Sequence, residues 1–153
     1  MAGTRFQVKT YGANIVSAHL RGLARRASDL RPAWPAVTRR VAAGYGRSFD
    51  RQGPGWQKLD PATTRRRIQE GFPPGPILRQ TGSYREAATS AERLKVIESS
   101  HTLIIIVDHP LSLYHQDGTS RMPFRPLKLS AGDRYWLVWE INQSLMEAYR
   151  NGI

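Results

Sequence analysis

Gly53-Pro54-Gly55-Trp56-Gln57-Lys58-Leu59-Asp60-Pro61, followed after a second Gly/Pro break by Ile77-Leu78-Arg79-Gln80-Thr81-Gly82-Ser83-Tyr84, is the stretch on which the chain turns. Helical periodicity precedes it and strand alternation follows it. Asp60 can accept hydrogen bonds from free amides at a helix start, and Pro61 fits the first helical position. A short helix from Pro61 to about Glu70 follows. Trp56 and Leu59 are large apolar residues in a loop with no core of its own, so they anchor it to the body of the domain. The glycines and prolines between Gly53 and Pro76 leave room for one helix only, so residues 52–77 read as an extended, mobile loop. Thr81-Gly82 restarts the chain into a helix carrying Tyr84, Ala87 and Ala88.

Working outward, Phe6, Val8 and Thr10 alternate with polar residues as in a half-buried strand. From Asn14, residues Ile15, Val16, His19, Leu20, Leu23, Ala27 and Leu30 fall on one helical face. His19, on that apolar face, reads as a satisfied core residue and not as a ligand. Pro35 opens a second helix to about Arg51, with Val37, Val41, Tyr45 and Phe49 as its buried stripe. Downstream, Leu94, Val96 and Glu98 alternate. Leu103-Ile104-Ile105-Ile106-Val107 reads as a central strand covered on both faces, joined to the first by a hairpin at Ser99-Ser100. Pro110 starts a short helix with Leu111, Leu113 and Tyr114. Phe124 to Leu129 reads as a last strand. A long helix then runs from Asp133 to about Tyr149. The expected architecture is α+β: one domain over residues 1–153, with a small, mostly antiparallel sheet of about four strands. Two N-terminal helices and the C-terminal helix pack on its faces.

The C-terminal helix carries two apolar rows. Leu137, Val138, Ile141, Leu145, Ala148 and Tyr149 make a stripe broad enough to pack on the sheet. Tyr135, Trp139 and Met146 form a second row with the composition of a subunit interface. The alternative is that the loop carrying Trp56 folds over this row within the same chain.

Composition sets the classes of partner. Lys+Arg 23 against Asp+Glu 12 gives a net charge of +11. Such a balance points to nucleic acid or an acidic protein surface, or to a solvated surface kept soluble by like charge. Arg40, Arg47 and Arg51 form a stripe along the second helix, and Arg65, Arg66 and Arg67 a run along the third. Each set can contact DNA phosphates or an acidic neighbour, or face solvent. No run of about 18 apolar residues is present, so no membrane span is expected. The absence of cysteine excludes disulfides and thiolate metal sites.

Chemistry-bearing clusters are few. No phosphate loop and no nucleophile elbow occur. Asp108, His109, His115 and Asp117 have metal-ligand chemistry, but a spacing of six puts the two histidines on opposite sides of a helix, so the ligands do not converge. His115 and Gln116 are better placed to bond backbone where that helix ends. No catalytic residue, metal or cofactor is assigned, and a small metal-dependent hydrolase using His109 and His115 stands as the third reading.

The order Gly53, Trp56, Leu59, Thr63, basic residues Arg65-Arg66-Arg67, then Ile77-Leu78 and Thr81-Gly82, resembles the phage virion morphogenesis (tail completion) family. Tyr114-His115-Gln116-Asp117-Gly118 and Met122-Pro123-Phe124-Arg125-Pro126-Leu127 are similar to two further elements of that family. The departures are Asp117, where the family has an aromatic, and Phe124, which precedes Arg125-Pro126 instead of following it. The resemblance spans about residues 5 to 150, in order. It implies a structural, non-enzymatic protein of tailed-phage assembly, completing the tail or joining it to the head. It further implies a ring of about six or twelve copies around the DNA channel, touching other neck or tail proteins. The protein would be made in the host cytoplasm and located in the virion. The competing reading is a basic DNA-binding protein acting alone on free duplex.

Overall fold

The computed structural model describes residues 12–53, 55–120 and 122–151. Among them are six α-helices and one two-stranded antiparallel sheet. The helices are α1 (Ala13–Ser28), α2 (Trp34–Asp50), α3 (Pro61–Gln69), α4 (Ser83–Thr89), α5 (Ser112–Asp117) and α6 (Ala131–Asn151). The strands are β1 (Leu94–Glu98) and β2 (Leu103–Val107), paired in the register Leu94↔Val107 through Glu98↔Leu103. No described helix is long and apolar enough to cross a membrane.

Helix α2 is the spine. Its first turns put Trp34 and Val37 into one cluster with Ala33, against which Leu30, Leu103, Leu137 and Ile141 pack. Its last turn puts Phe49 into a second cluster with Trp56, Ile77, Leu78, Tyr84, Ala88 and Leu127. The period-3.6 stripe of α2 therefore serves both clusters. The hairpin tip is pinned to the α1–α2 corner by polar contacts. Trp34 Nε1 donates to Ser99 O at 2.9 Å, and Leu30 N donates to Ser100 O at 2.8 Å.

Three expectations change. Among the described residues the sheet has two strands, not about four. The proposed strand at Phe6–Thr10 lies outside the described residues. Phe124–Leu129 has no regular secondary structure and joins no ladder; Pro123 and Pro126 have no N–H to donate. The Arg125 amide is taken by His115 O at 2.8 Å. Strand β2 is covered on one face only: Ile104 and Ile106, opposite Ile97 and Lys95, are exposed. Among the described residues, no further strand or helix closes that face.

Helix α6 packs chiefly on α1 and α2, and meets β2 through the cluster that Leu103 shares with Leu137 and Ile141. Leu137, Ile141 and Ala148 turn inward, whereas Val138 and Tyr149 turn out. Helix α1 likewise leaves Ile15, Val16 and Leu20 more than half exposed, with Gly22 its buried residue. His19 is half-buried, bonded through Nδ1 to Tyr149 O and tilted against the Tyr149 ring at 5.2 Å.

Candidate functional site

A cleft of about 630 Å³ opens between α3, α4, α5 and the segment after α5. Three stretches far apart in sequence wall it. Leu59, Asp60, Thr63, Arg66 and Arg67 come from the loop and α3. Gln80, Thr81, Ser83 and Tyr84 come from the start of α4, and His115, Met122, Pro123 and Arg125 from α5 and beyond.

Each wall is set by local chemistry. The Asp60 carboxylate accepts from Ala62 N at 2.7 Å and caps α3, which runs Thr63 and Arg67 along one face at i, i+4. The loop turns at Gly53, whose φ of 69° suits glycine. A Cβ there would stand 1.9 Å from the Trp56 ring, so the close approach also requires glycine. Trp56 packs edge-on to Phe49 at 5.7 Å and donates through Nε1 to Pro126 O at 3.0 Å. Across the same seam Arg125 reaches back: Nε and Nη2 both donate to Gln57 O, at 3.1 and 2.9 Å. Gly118 turns the chain after α5 at φ 72°, where a Cβ would meet Phe124 N at 3.0 Å.

The cleft floor is aromatic and cationic. Tyr84 is 3 % exposed, and the His109 and His115 rings both tilt against it, at 5.3 and 5.2 Å. Burial pushes its phenol up to about 12. Burial and then the Arg125 charge push the His115 imidazole down. Arg67 and Arg125 are 6 % and 7 % exposed. Burial lowers both guanidinium pKa values, helped by the Arg66 charge for Arg67 and the Arg67 charge for Arg125. Neither has a carboxylate partner among the described residues; their bonds go to backbone carbonyls, Pro76 O at 3.1 Å for Arg67.

The residues singled out in the sequence separate into groups. Trp56 is buried and Leu59 half-buried, both in the second cluster. Thr81, His115 and Arg125 line the cleft, Gly82 starts α4 at φ 84°, and Gln116, Gly118 and Pro126 flank it. Of the helix-α3 run, Arg65 is exposed, Arg66 stands 3.8 Å from Glu70, and Arg67 faces inward. The α2 stripe does not stand free. Arg40 Nε donates to Glu140 at 2.8 Å and lies over the Trp136 ring at 4.9 Å. Arg47 pairs with Asp133, and Arg51 is exposed. The acidic neighbour of this stripe is the chain's own α6.

On α6, Tyr135 and Met146 are exposed, while Trp139 is half-buried and stacks edge-on with Trp136 at 5.3 Å. The Trp56 loop does not cover this row; it packs on α2 and Pro126. His109 and His115 were expected on opposite sides of one helix. His109 instead precedes α5, so both rings reach Tyr84. No group of three or more His, Asp or Glu among the described residues converges as metal ligands.

Sequence reasoning missed Tyr84 as the hub of the floor, and the burial of Arg67 and Arg125. The available signal was backbone accounting. A Gly/Pro loop packed on a core has carbonyls with no ladder partner, and long donors must reach them. No family model matches the chain, and neither does any curated protein or solved structure.

Proposed function

We propose that this chain is a structural subunit of a tailed-phage virion, completing the tail or joining it to the head as a ring of about six or twelve copies around the DNA channel. The reading rests on the ordered motifs from Gly53 to Pro126. The observation that carries it is the seam between their two ends: Trp56 bonds Pro126, and Arg125 bonds Gln57. Motif residues separated by some seventy positions thus form one structural unit. A ring also needs apolar contact surface, and α1 and α6 present Ile15, Val16, Leu20, Tyr135, Val138 and Met146 outward. Other neck or tail proteins, and DNA in the channel, are the remaining partners. A stand-alone DNA-binding role has less support, since Arg40 and Arg47 are paired within the chain and Arg67 is buried.

Gold-labelled antibody against the chain, applied to purified particles, tests the assignment. Label is expected at the head–tail junction or the tail end, and particles lacking the gene should be defective. Complete, infectious particles without the protein would overturn the proposal.

A further inference from the structure

The wall of the cleft holds two guanidiniums, each more than nine-tenths buried, and no carboxylate that neutralises them. Among the described residues, the one acid on the wall is Asp60, which caps α3 and forms no ion pair with either arginine. Arg67 Nε and His115 Nδ1 are buried and have no hydrogen-bond partner among the described residues. Burying charges and donors unpaired is costly, and a folded chain that does so has left places for a ligand to fill. Leu59, Leu111, Met122 and Pro123 supply the apolar part of the same wall.

We propose that this cleft binds a carboxylate presented by a short acidic peptide segment, with Arg67 and Arg125 as its cationic wall and the apolar residues covering the flanking side chains. A guanidinium matches a carboxylate by its planar fork, which a point charge does not. The volume of about 630 Å³ lies in the range of ordinary ligand sites and holds more than a lone ion. Duplex phosphates are a poorer fit. They sit on a stiff, wide backbone and are met by exposed cations, whereas these two are recessed. The inference concerns the isolated chain and stands or falls separately from the virion assignment.

The test uses the full chain and an acetylated, amidated Leu-Glu-Leu tripeptide, followed by amide shifts and by the melting midpoint. Binding should raise the midpoint and move the signals of Thr63 and His115. The Leu-Gln-Leu analogue should bind about tenfold more weakly or worse, and Arg67→Lys should cost a similar factor by losing the fork. Thr63→Phe fills the cleft while leaving both arginines in place, and should abolish binding even if Arg67 variants fail to fold. Unaltered binding by Thr63→Phe, or equal affinity for the two peptides, overturns the proposal. Tighter binding of inorganic phosphate or of a short DNA duplex than of the Glu peptide, lost in Arg67→Lys, overturns it in favour of a phosphate site.

Discussion

Protonating His115 would add a positive charge beside Arg125 in a place where water solvates it poorly. Its imidazole is held below its ordinary value of 6.5, first by burial, then by Arg125 and His109. The unfolded chain therefore binds this proton more readily than the folded one. Stability is level above the unfolded value and falls as pH drops below it. Urea midpoints at about pH 7.5 and about pH 5.5 should show the fall, and His115→Gln should reduce it. An equal fall in the variant would mean that other groups carry the effect. The Asp133 carboxyl acts in a lower window. Burial pushes it up, but the Ser130 hydroxyl, Arg47 and the Ser130 amide outweigh that and hold it below 3.8. Its contribution is lost only under more acidic conditions.

At the scale of elements, the start of α6 depends on a reciprocal cap. The Ser130 hydroxyl and amide donate to Asp133 Oδ2 at 2.6 and 2.9 Å, and Asp133 N donates back to Ser130 Oγ at 3.1 Å. Arg47 joins the same carboxylate and so fastens α2 to α6. Asp133→Ala removes cap and partner together and should cost about 2 kcal/mol in denaturant unfolding. The Arg47 side chain is 42 % exposed, so the pair alone is screened. A double-mutant cycle of Arg47→Gln with Asp133→Asn should give a coupling of about 1 kcal/mol. A coupling near zero would leave the cap as the whole effect. Replacing the α2 stripe is accordingly not a neutral surface change, although its spacing alone suggests one.

For the whole molecule, the outward row of α6 decides how copies meet. Tyr135, Val138, Met146 and Tyr149 lie within about 80° of helix arc, and all are exposed. Tyr149 adjoins His19 of α1, which links this row to the exposed Ile15, Val16 and Leu20. Changing Tyr135, Val138 and Met146 together to Ser should move the monomer unfolding free energy by about 0.5 kcal/mol per site or less. It should weaken self-association by about 2 kcal/mol or more, read by sedimentation of the concentrated protein. Trp139→Ala should behave differently and lower monomer stability, because Trp139 is half-buried beside Trp136. If the triple variant associates as the parent does, the row is not the interface. Six ion pairs among the described residues are internal, so they leave the excess of +11 for partners or solvent.

The sequence by itself determined the features that local physics controls. Asp60-Pro61 marked the start of α3, Thr81-Gly82 the start of α4, and alternation from Leu94 and the continuous β-branched run from Leu103 marked the two strands. Caps, fixed proline dihedrals and side-chain periods act over a few residues, so they can be read from neighbours. The same periods on α1 and α6 revealed apolar rows but not which row faces inward. That choice belongs to the tertiary structure, because α6 lies chiefly against α1 and α2. Only the tertiary structure paired Arg40 with an acid 100 positions away and Arg47 with one 86 positions away. Only it gathered Arg67, Tyr84, His115 and Arg125 around one cleft. Partners of that kind are chosen by how whole elements pack, and no local signal in the chain carries them.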